Sequence, residues 1–181
     1  MSDTLESQQS PLFSQPERRH TFTWDDPSPG ARAMQTMSGV QFLRAAMAGE
    51  LPSPPISALM NMRLTEVAEG CVVFTAEPAE YHYNPIGSVH GGFAATLLDS
   101  ALGCAVHSML PVGVGYTTLE LKVNYLRPIT DRTGTVSCEG KIIHVGGRTA
   151  TAEARLSDAA GKLYAHGTTT CIIFRPQGGQ E

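Results

Sequence analysis

Apolar residues recur every three to four positions in one long segment of the chain. Between Gly91 and Met109 they cover nearly every direction around a helical axis: Phe93, Leu97, Leu98, Ala101, Leu102, Ala105 and Val106. A helix that is apolar on all sides is usually buried, and Pro111 ends this pattern. The pattern therefore predicts one long helix in the core of the domain.

A shorter helical pattern and several strand patterns surround this segment. Ser38 and Gln41 have the spacing of a capping box ahead of an apolar stripe that ends at Gly49, which predicts a short N-terminal amphipathic helix. Alternating apolar residues predict a strand pair within 60–76 and four further strands over 116–127, 133–144, 148–157 and 162–174. Because the connections are short and rich in turn residues, neighbouring strands should be antiparallel. The predicted fold class is α+β, with a six-stranded antiparallel sheet wrapped around the long central helix.

Composition divides the chain into three segments. Residues 1–36 contain four prolines and aromatic residues at no regular period, which predicts a loosely structured arm. Residues 37–176 carry the predicted sheet and its two helices and should form the folded domain, with residues 177–181 as a C-terminal tail. A length of 181 residues fits a single domain of ordinary size.

Charge and cysteine content exclude several classes of function. The net charge of −4 argues against a protein that binds nucleic acid through many phosphate contacts. No segment resembles a signal peptide or a membrane span, so we expect a soluble, cytoplasmic protein with no membrane partner. The four cysteines lack any CxxC pairing or Cys/His cluster, which predicts free thiols and no metal site: Cys71, Cys104, Cys138 and Cys171.

The central helix carries an unusual carboxylate. Asp99 is the only formally charged residue between Glu80 and Glu120, and a carboxylate in apolar surroundings is costly unless it is compensated. It is therefore a candidate general base or nucleophile. Gly91 opens the helix, where bare amides at the positive end of the helix dipole suit an oxygen that gains negative charge. Its amide is a candidate oxyanion-hole donor.

Helix geometry separates these two candidates. Eight residues at 1.5 Å per residue place Asp99 about 12 Å from Gly91 along the helix axis, too far to flank one carbonyl carbon. Two copies of the helix packed antiparallel about a two-fold axis would bring Asp99 of each copy opposite Gly91 of the other. The sequence therefore predicts a homodimer with two identical sites.

The residues around this helix start resemble a known family. The run Asn84-Pro85-Ile86-Gly87-Ser88-Val89-His90-Gly91-Gly92, followed by Asp99, resembles the hotdog-fold acyl-CoA thioesterases of the phenylacetate-pathway type. The segments 125–128 (Tyr-Leu-Arg-Pro) and 147–149 (Gly-Arg-Thr) extend the resemblance over about residues 38–175. It implies a hotdog fold, hydrolysis of an acyl-CoA thioester to a carboxylic acid and CoA, and dimers that often pair into homotetramers.

The resemblance also implies roles for individual residues. Asn84 would place the thioester carbonyl, and the Gly91 amide would polarise it. Asp99 from the partner would activate water, which the hydroxyl of Thr118, or of Thr117 if the alignment shifts by one residue, would help hold. His90 would shape the loop by hydrogen bonding rather than act as the base.

A protein that binds a phosphorylated substrate should have basic residues near its site. From residue 120 to 155 there are six basic and four acidic residues, although the whole chain is negative. Arg127 and Arg148, with Gly92 and Gly147 beside the expected site, are the candidates to bind CoA phosphates. Both arginines could equally be solvated surface charges. No separate cofactor is expected, because coenzyme A is part of the substrate.

Two other functions fit the same residues. The chain could be a non-catalytic acyl-CoA binding or sensing module, although the retained carboxylate argues against it. It could also be a hotdog enoyl-CoA hydratase or dehydratase, although it lacks a His-Phe-Pro-type strand motif. A serine hydrolase is disfavoured because the residues around Ser88 do not read Gly-x-Ser-x-Gly. The acyl group is not determined by the sequence.

Overall fold

The computed structural model describes residues 17–175 and contains one antiparallel sheet and one long helix. The elements in chain order are α1 (Ser28–Ala33), α2 (Gly39–Met47), α3 (Pro55–Leu59), β1 (Met62–Ala68), β2 (Cys71–Ala76), α4 (Gly91–Ser108), β3 (Gly115–Tyr125), β4 (Val136–Val145), β5 (Thr149–Asp158) and β6 (Leu163–Phe174). The strands lie in the order β1-β2-β4-β5-β6-β3. None of the helices within 17–175 combines the length and the apolar character that crossing a bilayer requires.

Helix α4 packs against the concave side of the sheet and fills the core. Six of its apolar residues have no exposed surface at all: Leu97, Leu98, Ala101, Leu102, Ala105 and Val106. The helix lies so close to β4 that a Cβ on Gly140 would overlap the carbonyl of Ala101. The predicted six-stranded sheet around one central helix is therefore confirmed, as is the hotdog fold.

Helix α2 closes one end of this core. Its N-cap is Ser38, whose hydroxyl accepts a hydrogen bond from the Gln41 amide while the Gln41 side chain accepts one from the Ser38 amide. This is the predicted capping box. Gly39 then lies directly against the backbone of His107 near the end of α4, where no side chain would fit. The start of α2 is thereby fixed to the end of α4.

Strand β3 is an edge strand with a bulge in the middle. It pairs only with β6, and the register shifts between Thr118 and Glu120, which leaves Leu119 as an extra, exposed residue. A bulge redirects the side chains that follow it. As a result Thr118 faces α4 before the bulge, and Tyr125 faces α4 after it. Both contacts are at the candidate site.

The segment before α2 is more ordered than its composition suggests. Residues 17–27 contain no helix or strand but run beside the turn at Glu80–His82, where Arg18 pairs with Glu80 at 2.8 Å and the His20 ring stacks on Tyr81 at 3.9 Å. The short helices α1 and α3 were not predicted, because proline is tolerated in a first helical turn as well as in a loop. Most of the predicted arm's first half and the tail at 177–181 lie outside the described residues.

Candidate active site at the start of helix α4

The loop before α4 is shaped by Asn84. The Asn84 side-chain oxygen accepts hydrogen bonds from the backbone amides of Ile86 at 3.0 Å and Ser88 at 3.4 Å, and its side-chain nitrogen donates to the Ser88 hydroxyl at 3.3 Å. Gly87 has a φ of +82°, which favours glycine. Asn84 therefore builds the turn, and its side-chain nitrogen donates one hydrogen bond within residues 17–175.

His90 caps the helix with its ring. Its Nδ1 accepts a hydrogen bond from the Gly92 amide at 2.8 Å, and its backbone amide donates to the carbonyl of His82 at 2.8 Å. An imidazole nitrogen that accepts a hydrogen bond carries no proton. This hydrogen bond gives His90 a structural role in the loop. It also means that the Gly92 amide already has an acceptor within the protein.

The Gly91 amide has no such partner. The next two amides of α4 bond to the His90 side chain and to the His90 carbonyl, whereas no acceptor within residues 17–175 meets the Gly91 N–H. The aromatic ring of Tyr125 packs beside it, with Cε1 and Cζ 3.2 Å from where a Cβ on Gly91 would be. An unpaired amide at the positive end of a helix can donate to a developing oxyanion. We call Gly91, His90 and Tyr125 the Gly91 end of the site.

Asp99 meets a hydroxyl on the opposite element. The Thr118 hydroxyl donates a hydrogen bond to a carboxylate oxygen of Asp99 at 3.0 Å, and both residues are half-buried. Thr117 precedes it on β3, is exposed, and points to the other side of the sheet. Of the two threonines that the sequence left open, Thr118 is the one that contacts the acid. We call Asp99 and Thr118 the Asp99 end.

The two ends share one face of α4 that the sheet leaves uncovered. Ala95, Thr96, Asp99 and Ser100 are only half-buried, whereas the opposite face of the helix has no exposed surface. Along this face Asp99 follows Gly91 by eight helical residues, or about 12 Å. Within one chain the structure therefore does not bring the amide and the carboxylate together.

A half-buried tyrosine and a buried histidine lie just beyond the Asp99 end. The Tyr116 hydroxyl packs 3.0 Å from the position of a Cβ on Gly103, one turn after Asp99, and desolvation raises the pKa of that phenol well above its ordinary value. The His107 ring lies between Phe42 and Tyr116, each 5.4 Å away. Burial lowers the pKa of His107, so this ring favours its neutral form.

A second histidine with a lowered pKa lies near the Gly91 end. His82 accepts a hydrogen bond from the Ala79 amide at Nδ1, its Nε2 lies 3.2 Å from the Leu59 carbonyl, and its ring contacts Phe93. Burial lowers its pKa, although the Leu59 carbonyl opposes that shift. Both contacts are satisfied by a neutral ring with its proton on Nε2.

The cysteines do not compete with Asp99 for a catalytic role. All four are unpaired. Cys104 lies near Asp99 on α4, and burial together with the nearby carboxylate raises the pKa of its thiol to about 12. Burial also raises the pKa of the Cys71, Cys138 and Cys171 thiols. Because the thiolate is the nucleophilic form, these groups are poor nucleophiles at neutral pH.

The two arginines predicted to bind phosphate lie at opposite ends of the sheet. Arg127 follows the end of β3, near Gly91, and its guanidinium donates to the carbonyl of Leu163. Arg148 is exposed in the β4–β5 turn, and its carbonyl accepts from the amide of Ile173. Leu163 and Ile173 are ten residues apart on β6, which is about 33 Å. Gly147, beside Arg148, is exposed, and its carbonyl accepts from Arg175.

Sequence reasoning missed Tyr125 as a neighbour of Gly91. The signal was present in the resemblance, which included Tyr125, but which way that side chain points depends on the bulge at Leu119. A bulge on an edge strand leaves no periodic mark in the sequence, since it is defined by strand pairing. The contact was therefore visible only in the folded structure.

Comparison with known proteins agrees with this architecture. Residues 86–165 match the model of the thioesterase superfamily. A protein of Halobacterium salinarum named as an esterase is 38% identical over 97 residues, which are 49% of this chain and 62% of that protein. A Vibrio cholerae protein, also named as an esterase, is 23% identical over 121 residues, covering 67% of this chain and 79% of that protein.

Solved structures extend the similarity over about 70% of this chain. A phenylacetic acid degradation-related protein of Ralstonia eutropha is 26% identical with a TM-score of 0.66, covering 72% of this chain and 98% of that one. A Streptococcus pneumoniae thioesterase protein, solved with coenzyme A, is 27% identical with a TM-score of 0.59, covering 68% and 93%. The sequence match to the thioesterase superfamily thus covers residues 86–165, and the hotdog fold that contains them is shared with these solved structures.

Proposed function

We propose that the protein is an acyl-CoA thioesterase that hydrolyses its substrate to a carboxylic acid and CoA. The observation that carries this proposal is the unpaired Gly91 amide on the same uncovered helix face as the Asp99 carboxylate that Thr118 orients. A thioester needs both a donor for its carbonyl oxygen and an activated water. The Streptococcus pneumoniae relative solved with coenzyme A supports a CoA ester as the substrate class.

The proposed site is shared between two copies of the chain. A two-fold axis beside Ala95, midway between residues 91 and 99, would place Gly91 of one subunit opposite Asp99 of the other. Ala95 is small and half-buried, which suits a close helix crossing. The unpaired edge of β3 borders the same face, so the two sheets would meet there. Dimers of this kind could pair again into tetramers.

The proposed reaction uses groups of this chain and one water molecule. The Gly91 amide would donate to the thioester oxygen, and Asp99 of the facing subunit would take a proton from water as the water oxygen attacks the carbonyl carbon. Collapse of the tetrahedral intermediate would break the carbon–sulfur bond and release the CoA thiolate, which takes up the proton. Alternatively Asp99 could attack directly, and the resulting anhydride would be hydrolysed.

The arrangement also limits how CoA can be held. Because Arg127 and Arg148 of one subunit lie about 33 Å apart along the sheet, they cannot both contact the phosphates of one CoA. In an antiparallel dimer, the Arg148 end of one subunit lies at the same end of the joined sheet as the Gly91 end of the other. If both arginines bind the phosphates of one CoA, they therefore come from different subunits.

The test is hydrolysis of a panel of acyl-CoA esters, measured as free thiol released. The panel should include short, medium, branched and arylacetyl groups, and the chain should release CoA from at least one of them. Asp99→Asn should lower kcat by about 10²- to 10⁴-fold, the usual contribution of a general base. Glu153→Gln, an exposed carboxylate on β5, is the matched control.

Other outcomes identify the two alternatives. Saturable binding of acyl-CoA esters without release of CoA would favour a binding or sensing module. Loss of enoyl-CoA absorbance without free thiol would favour a hydratase. Unchanged turnover in Asp99→Asn would overturn the mechanism even if the chain hydrolyses thioesters.

A further inference from the structure

Tyr125 occupies a position that the proposed reaction does not yet explain. It is the last residue of β3, and the bulge at Leu119 turns it towards the start of α4. Without that extra residue the alternation of the strand would point Tyr125 to the outer side of the sheet. A bulge and an aromatic ring therefore act together to cover one particular glycine.

The contact with Gly91 is close and specific. Two ring carbons of Tyr125 lie 3.2 Å, and its hydroxyl 3.4 Å, from the position of a Cβ on Gly91. A real Cβ at 3.2 Å from the ring carbons would be tighter than most van der Waals contacts, so the ring packs beside the backbone of Gly91 where a side chain would begin. No hydrogen-bond partner for the Tyr125 hydroxyl exists among the described residues, so the ring itself makes the contact.

The ring nevertheless remains open to solvent on its other side. Tyr125 is 57% exposed, an unusual value for an aromatic residue that packs against a helix start. The ring packs against the first residue of the helix, whose amide has no acceptor within residues 17–175. Part of the ring is thus free to meet a bound molecule at this amide.

We propose that Tyr125 is a positioning residue whose ring forms the wall of the carbonyl-binding position at Gly91. The inference rests on the proposed thioesterase function. An amide donor stabilises an oxyanion best when water does not compete for it. The ring face excludes water from one side of the Gly91 N–H and leaves one direction of approach for the thioester oxygen. A Cβ on Gly91 would lie only 3.2 Å from two ring carbons, so glycine at this position lets the ring pack closely against the helix start.

The inference is tested by removing the ring and by restoring it without the hydroxyl. Tyr125→Ala should lower kcat about 10-fold with little change in KM, because the donor amide remains but the carbonyl is held loosely. Tyr125→Phe should restore at least half of the lost turnover. Phe174→Ala removes a ring that is 52% exposed at the far end of β6 and serves as the matched control.

A second variant pair tests the contact itself. Gly91→Ala keeps the amide but pushes the exposed ring aside, so it should reduce kcat to about the same extent as Tyr125→Ala. If the ring and the glycine act as one unit, the double variant should be no slower than either single variant. Independent, multiplicative losses would overturn the inference.

Failure of this inference is distinguishable from failure of the proposed function. If the unaltered chain hydrolyses acyl-CoA and Tyr125→Ala is equally fast, Tyr125 has no positioning role while the thioesterase assignment holds. If Tyr125→Phe is as slow as Tyr125→Ala, the hydroxyl rather than the ring is responsible, and the inference is wrong. If the unaltered chain releases no CoA from any ester, both the proposed function and the role of Tyr125 are wrong.

Discussion

The two ends of the site present different chemical groups. The Gly91 end offers a backbone amide and, beside it, an aromatic ring. The Asp99 end offers a carboxylate held by the hydroxyl of Thr118. The Gly91 amide can therefore be altered only by adding atoms to the glycine, whereas the Asp99 end can be altered by removing atoms from side chains.

The largest effect should come from variants that damage one end at a time. Asp99→Asn should lose the base, and Gly91→Val should block the approach to the amide with a branched side chain. Each homodimer should be at least about 10²-fold slower than the unaltered protein. In a heterodimer of the two variants, one site has both altered residues and the other has neither, so about half of the original turnover per dimer should return. Two different affinity tags allow the heterodimer to be purified and assayed.

This recovery depends on the two ends coming from different subunits. If Gly91 and Asp99 of the same chain formed one site, every site in the heterodimer would contain one damaged end and turnover would stay low. A dimer in which both subunits carry Asp99→Asn, each with a different tag, is the control for the purification. A protein that is monomeric by light scattering and still active would contradict the shared site directly.

A smaller effect is expected at the hydroxyl of the Asp99 end. Thr118→Ala removes the hydrogen bond to the carboxylate and should lower kcat about 10-fold, since a hydrogen bond to a charged group contributes roughly 1.5 kcal/mol or more. Thr118→Ser should retain most of the turnover. Thr117→Ala, on the exposed side of the same strand, is the matched control. Equal losses from the two alanine variants would show that the contact is not specific.

The sequence predicted the elements better than the contacts. The period of apolar residues in α4, the capping box at Ser38 and the turn residues between strands each depend on neighbours along the chain, and the structure has each of them. The 12 Å separation of Gly91 and Asp99 follows from helix geometry alone. The bulge at Leu119 depends instead on how β3 pairs with β6, so the position of Tyr125 could not be predicted.

The same reasoning explains the arginines and the short helices. Arg127 and Arg148 are separated in the sequence by a single strand, β4, but that strand runs between opposite ends of the sheet. The prolines before α1 and α3 were interpreted as loop residues, since a proline in a first helical turn and one in a turn have the same local signal.

A histidine lies near each end of the site: His82 near the Gly91 end and His107 near the Asp99 end. Burial lowers the pKa of both rings. As the pH falls below about 6.5, the unfolded chain binds protons at these positions before the folded chain does. The free energy of unfolding should therefore decrease between pH 7.5 and pH 5.5. Urea titrations at the two pH values measure this difference.

Replacement of one histidine should reduce that pH dependence. His107→Gln cannot be protonated, so the difference in unfolding free energy between the two pH values should shrink, whatever the stability of the variant at pH 7.5. His144→Gln, at an exposed position on β4, is the matched control. A difference that stays the same in His107→Gln would show that His107 does not contribute to it.

The smallest effect is expected at Cys104, a thiol near the acid. Cys104 lies on α4 five residues after Asp99, but its pKa of about 12 leaves very little thiolate at neutral pH. Cys104→Ala should therefore keep kcat within about threefold of the unaltered protein, since it removes only a small side chain from the core. A loss as large as that of Asp99→Asn would mean that sulfur rather than oxygen attacks the thioester. The Asp99 end would then be a thiol site whose carboxylate serves as its base.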